Sequence, residues 1–433
     1  MISLSLSYHG PYSHFIMTII VLLFGNVRNI QGLRRYAPAP FHGKKFILAC
    51  VALTEHHPAM DSKTLSNRSS ETGPRRAAGI DALRGIAVIL MIQQHMLGWL
   101  WNSPKIPFGE LLREYPLSMG MNLLGNLAAP LFVTLAGMGA GLFLDRAEAR
   151  GRTLVMRGAC IVLLGFALNL LAPFWFGPCT WYVLHLIGLC LMLSPALSRI
   201  PSPALAALAL LLFAATPIAQ TLLGTPIYLP ETRLNDASLS GGIARLALAE
   251  GHFPVLPWMA FFVLGMIAHR FARTQKRGQI FVAAAGLVAA GIALALLYRR
   301  GYAFATYGPL YRAFVFAPYF FPPHLPLMLI LSGAALAGTT GAASLSTGGN
   351  GAVVRALARF GRVPLSLFFF HVILFNTLFH LLGLYRIFSN YTSWLIIAGF
   401  LLATAAALVP WSRRGYARGL ERLERLPERY LFR

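Results

Sequence analysis

The chain has 433 residues, of which 57% are hydrophobic and 12% charged. A soluble domain carries roughly a quarter charged residues, so the polar surface here is too small to cover a water-soluble globule. The formal charge of +23 would raise nucleic-acid binding in a soluble protein, but these basic residues fall in short loops between apolar runs and near the end of the chain, where anchoring and orientation in a bilayer account for them.

Residues 1–59 read as a doubtful N-terminal extension. Their one apolar run, 15–24, is well short of the ~20 residues that cross a hydrocarbon core as a helix, and no clean cleavage site marks a secretory signal. Met60 opens a more ordinary start with the polar leader MDSKTLSNRSSETGPRR, so Met60 is read as the initiator and 60–79 as a leader. Apolar segments of spanning length follow at 80–101, 121–144, 155–176, 179–198, 203–223, 254–271, 279–298, 315–338, 364–386 and 393–411. The expected fold is therefore all-α, a polytopic membrane protein with about ten transmembrane helices filling 80–411. Residues 412–433 form a basic amphipathic tail of the kind that lies on anionic headgroups.

Orientation follows from Lys and Arg, which are in excess in cytoplasmic loops. From Met60 onward, alternate connecting segments carry 23 basic residues on one side and 8 on the other. This predicts that both termini are cytoplasmic. The longest loops on the poorer side, 102–120 and 224–253, are rich in Pro, Gly and aromatic residues and could fold over a site at the outer face.

Ionisable groups inside spanning helices are costly and face a bundle interior or a cavity, which makes them functional candidates. In GIDALRGIAVILMIQQHMLGWLW, Arg84 and His95 are eleven residues apart. At 100° per residue they return to within about 20° of one face, with His95 about 16 Å further across the membrane. Asp81 shares that stripe, so Arg84 is expected near the cytoplasmic mouth and His95 deep. A helix-end ion pair plus one interhelical hydrogen bond would explain the same residues without chemistry. The second span carries Asn122 and Asn126 near its outer end, Pro130 as a candidate kink, and Gly137, Gly139 and Gly141 as packing positions. Further histidines are His185, His252, His324, His371 and His380. His185 and His252 fall on the outer side, whereas His371, seven residues after Pro364, falls in the cytoplasmic half. The four cysteines show no metal-ligand spacing, and no metal site is expected.

The segment RRAAGIDALRGIAVILMIQQH resembles the first-helix signature of the transmembrane acyltransferase superfamily, which includes acyltransferase-3 proteins and heparan-α-glucosaminide N-acetyltransferase. NLAAPLFVTLAG, VLHLIGL, HFPVLPWMAFFVLGMIAHR and FGRVPLSLFFFH resemble, in the same order, the bacterial branch related to the heparan-α-glucosaminide enzyme. The resemblance implies acyl-CoA as co-substrate at the cytoplasmic face, no bound cofactor, and a carbohydrate hydroxyl or amine as acceptor. It also implies a multi-pass protein of the bacterial inner membrane.

Carried over by position, His95 and His371 match the motif histidines and are the expected catalytic residues, with Arg84 matching the motif arginine. Glu250, His252 and Trp258 match an outer FP-x-x-PW region, and with Asp81, Asn126 and His185 they complete the expected substrate-binding set. One departure stands out. Animal heparan enzymes have asparagine at the place of His95 and a histidine in the following loop, and 102–120 has none, so the acyltransferase-3 pattern is the closer guide. On this reading His95 deprotonates the acceptor or carries the acyl group transiently, while Arg84 and Asp81 position the donor. A transporter of a glycan or lipid-linked precursor and a non-catalytic scaffold are the competing functions, and a homodimer is an open expectation.

Overall fold

The structure, a computed structural model, describes residues 78–146, 151–274, 276–299, 309–317, 320–344, 351–417 and 419–425. The expected extension, nearly all of the leader and the end of the tail lie outside the described residues. Among the described residues no β-strand is present, and one isolated parallel bridge joins Trp101 to Phe388.

Among the described residues ten principal helices fall at the ten predicted spans: α1 (Ala78–Leu100), α2 (Ala128–Leu144), α3 (Gly151–Leu171), α4 (Val183–Leu197), α5 (Ser202–Leu222), α6 (Val255–Arg273), α7 (Arg277–Arg299), α8 (Leu325–Ser344), α9 (Pro364–His371) and α10 (Asn390–Arg413). Among the described residues nine helical segments are long and apolar enough to cross a membrane; α2 reaches that length together with the helix Pro116–Gly125, and α9 together with its continuation to Leu381. The exception is α4, with 15 residues, or about 23 Å at 1.5 Å per residue against a hydrocarbon thickness of about 30 Å.

Three of the boundaries that differ from the sequence expectation lie at prolines. The second span is broken at Asn126 and Leu127 into Pro116–Gly125 and α2, because Pro130 has no N–H to donate and its ring crowds the carbonyl of residue 126. Pro130 therefore sits in the first turn of α2 and does not kink its middle. The fourth span starts at Val183 because Pro173, Gly177 and Pro178 turn 172–181 into a loop. The eighth starts at Leu325 because Pro322 and Pro323 precede it. Non-helical backbone at membrane depth persists only where protein buries it or where it lines a cavity. In the 172–181 loop Ala172, Phe176 and Thr180 are buried, whereas Pro173, Phe174, Pro178 and Cys179 are exposed.

Small residues set the close crossings. A Cβ on Gly137 would strike the Phe262 carbonyl, and one on Gly265 the Thr134 carbonyl, so α2 and α6 cross backbone to backbone. Of the other two glycines expected to serve packing, Gly141 lies under His269, whereas Gly139 lines a cavity. An additional amphipathic helix, Ala352–Gly361, lies along α1. There a Cβ on Gly85 would collide with the Leu357 carbonyl and one on Gly361 with the Asp81 carbonyl. After His371, α9 widens into a π-helical turn, Val372–Leu378, a distortion frequent at functional sites.

Candidate active site

On α1 the positions Met91, His95 and Trp99 recur every four residues and so share a face. On α9, Phe368 and His371 are one turn apart and meet that face. The His95 Nδ1 lies 3.0 Å from the His371 Nε2, and the His371 Nδ1 lies 2.9 Å from the Leu367 carbonyl oxygen. A carbonyl only accepts, so a neutral His371 carries its proton on Nδ1 and its Nε2 accepts. The bridging proton then belongs to the His95 Nδ1, and the His95 Nε2 keeps its lone pair. His371 is fully buried, and His95 is half-buried. The two depths expected from sequence are thus one level of the bundle.

Aromatic rings wall in the pair. The His95 ring centroid is 5.3 Å from Trp99, 4.9 Å from Trp175 and 6.4 Å from Phe368. Trp175 comes from the 172–181 loop and meets both His95 and Trp99 edge-on. Such contacts exclude water and add to what burial of the rings contributes.

A cavity of about 320 Å³ adjoins the site. Its wall is mostly apolar, including Phe132, Leu135, Leu154 and Ile187, and it reaches Met91 and Phe368 beside His95. Arg84, Arg157, Arg362 and Glu421 also line it. The Arg84 guanidinium donates to Asp81 at 3.0 Å and to the Gly361 carbonyl at 3.3 Å. Arg362 donates to the other Asp81 oxygen at 3.3 Å. Asp81 is only 2% exposed and orients the two arginines from outside the cavity wall. Glu421, from the tail turn Leu420–Arg425, accepts from the Ser366 N–H at 2.9 Å and from its hydroxyl at 2.6 Å. This carboxylate satisfies one of the unpaired donors at the start of α9.

The other candidates are placed apart from the pair. Glu250 is buried in an ion cluster, 2.7 Å from Arg245 and 3.2 Å from Arg233, and accepts from Thr225 at 2.7 Å. Burial would raise its carboxyl, but the bonds from Arg245, Thr225 and Arg233 hold it below its ordinary value. A buried carboxylate so fully engaged braces the 224–253 loop. Trp258 is fully buried among Phe253, Phe261 and Phe320. His185 is buried, accepts from the Tyr182 N–H at 3.3 Å and packs on Phe166 and Trp181. Asn126 accepts from Gln94 at 2.9 Å in an amide cluster with Asn122. His252 is closer in architecture: it meets Phe176 edge-on, and Phe176 stacks on Trp175. Burial pushes the His252 imidazole down to about 4, so it is neutral near pH 7.

Trp99, Trp175 and Phe368, along with Arg157 and Arg362, were not singled out by sequence. The signal for Trp175 was the aromatic string FWF between Pro173 and Gly177. For the arginines it was their position at helix ends.

No curated protein matches the chain. Residues 76–304 match the family described as heparan-alpha-glucosaminide N-acetyltransferase, catalytic. That stretch contains α1 through α7 with His95, Trp99 and Trp175, and ends before α9 and His371. The match covers more than half of the chain, which therefore belongs to the heparan-alpha-glucosaminide N-acetyltransferase catalytic family.

Proposed function

We propose that the protein transfers an acetyl group from acyl-CoA, taken up from the cytoplasmic side, to a hydroxyl or amine of a sugar at or beyond the opposite face of a bacterial inner membrane, with both termini cytoplasmic. The observation that carries this reading is the His95–His371 pair, 3.0 Å apart, beside a cavity lined by Arg84, Arg157 and Arg362. Guanidinium groups bind phosphate oxygens through paired N–H donors. Eleven residues of helix separate Arg84 from His95 by about 16 Å, a span that suits an extended pantetheine arm between phosphates and thioester.

The His95 Nε2 takes the acceptor's proton as the acceptor oxygen or nitrogen attacks the thioester carbonyl. The C–S bond of the tetrahedral intermediate then breaks, and His95 returns the proton to the departing thiolate. While His95 is doubly protonated, the His371 Nε2 accepts its Nδ1–H and the Leu367 carbonyl holds His371 in the accepting tautomer. Asp81 serves this scheme by orienting Arg84 and Arg362. A covalent route, with the acyl group carried briefly on the His95 Nε2, uses the same lone pair.

The test uses the purified full chain in nanodiscs with labelled acetyl-CoA and a panel of sugars and amino sugars, beside glycan uptake into proteoliposomes. Transfer that His95→Ala abolishes while the folded fraction is retained supports the proposal. Undiminished transfer by His95→Ala, or uptake without transfer, overturns it.

A further inference from the structure

The 172–181 loop carries Trp175 to the active-site wall, and a residue distant in sequence holds it there. Asn235 follows the short helix Glu231–Leu234. Its Nδ2 donates to the Trp175 carbonyl at 3.0 Å. Its Oδ1 accepts from the Thr180 hydroxyl at 2.7 Å and lies 3.3 Å from the His252 Nε2. An amide oxygen only accepts, so the His252 Nε2 carries the proton. Every polar atom of the Asn235 side chain is thus committed to the ring-bearing loop or to the histidine behind it.

We propose that Asn235 is a positioning residue for the transfer reaction: by holding the Trp175 carbonyl it keeps the indole edge-on against the His95 imidazole, as one wall of the acceptor's place. The inference rests on His95 being the reacting base. Trp175 lies outside both α3 and α4; its N–H donates to the Ala172 carbonyl at 3.0 Å within its own turn, and Asn235 ties its carbonyl to a separate part of the chain. The rest of the loop has other supports. The Gly177 N–H donates to the Thr180 hydroxyl at 2.8 Å, Asn169 donates to the Thr180 carbonyl at 2.9 Å, and Phe176 stacks on Tyr182 at 4.4 Å. Removing the Asn235 amide should therefore leave the loop folded and free mainly Trp175. Misplacement of a wall beside a reacting pair is enough to slow the reaction.

The experiment is a double-mutant cycle on the full chain in nanodiscs, with Asn235→Ala, Trp175→Ala and the double variant. Asn235→Ala should lower kcat/KM for the acceptor about tenfold, the scale of one lost hydrogen bond, with the donor KM unchanged. The double variant should be no slower than Trp175→Ala. Hydrogen exchange should quicken in 172–181 and stay unchanged in α1 and α9. If Asn235→Ala does not fold, Asn235→Asp, which keeps the oxygen acceptor and loses the donor to Trp175, takes its place in the cycle. Losses that multiply in the double variant, or donor and acceptor constants that worsen together, overturn the proposal. His95→Ala, run alongside, separates the two failures: full activity there sinks the histidine reading, whereas multiplied losses with an inactive His95→Ala sink only the role of Asn235.

Discussion

His95 and His371, 276 positions apart in sequence, share one hydrogen bond of 3.0 Å, and the Leu367 carbonyl settles which ring donates. A histidine whose one ring nitrogen donates to a second histidine has the other turned outward, and is oriented as a general base without a carboxylate. His371→Ala should therefore lower kcat by about 100-fold, at the low end of what acid–base catalysis contributes, while leaving the donor KM unchanged. His371→Gln, which retains an acceptor, should recover part of the loss. Steady-state kinetics with each substrate varied in turn makes the comparison.

The arginines lining the cavity should matter for the donor alone. Arg157→Ala and Arg362→Ala are each expected to raise the donor KM about tenfold, the scale of a lost charge-assisted contact, with little change in kcat. Raising the salt concentration should weaken wild-type donor binding and narrow the gap to the variants. Equilibrium binding of labelled CoA reads both effects.

Gly361 permits the backbone contact between Ala352–Gly361 and the start of α1. Gly361→Ala forces the two apart, at a cost of about 1–3 kcal/mol typical of overpacking. It also pulls the Gly361 carbonyl from Arg84 and Arg362 from Asp81. The thermal midpoint in detergent should fall and the donor KM should rise together. A change in one without the other would show that this contact does not carry the arginine geometry.

His252 supplies a pH dependence of stability. Its folded-state value, about 4 because of burial, lies below the unfolded value of about 6.5, so the unfolded chain binds more protons between them. The stabilisation is full above pH 6.5 and is lost as pH falls toward 4. His324, also lowered to about 4 by burial, acts in the same window. His252→Gln should make the thermal midpoint less steep against pH between 6.5 and 4, leaving a residual slope to which His324 contributes. An unchanged slope would contradict the neutral, buried state of His252.

Much of the membrane frame was legible because apolar length and proline are local signals. The ten segments were visible in composition, and three displaced boundaries lie at Pro130, Pro173 and Pro322, where a missing donor favours a break, although Pro195, Pro217 and Pro410 are carried inside α4, α5 and α10. His95, Arg84 and His371 were legible as candidates because ionisable groups in apolar helices are rare. Glu250 and Trp258 entered the expected substrate-binding set only through the resemblance of an outer region, and the structure places the first in a buried ion cluster and the second among packed aromatic rings.

The sequence by itself determined that this is a helical membrane protein with a polar stripe on its first helix, since hydrophobic length and the 100° helical step act within a single segment. Only the tertiary structure decided which of its histidines touch, that Trp175 and Phe368 wall them, and that Asn235 holds that wall. Those contacts join residues 60 to 276 positions apart, and no periodicity within one helix encodes a hydrogen bond made by another.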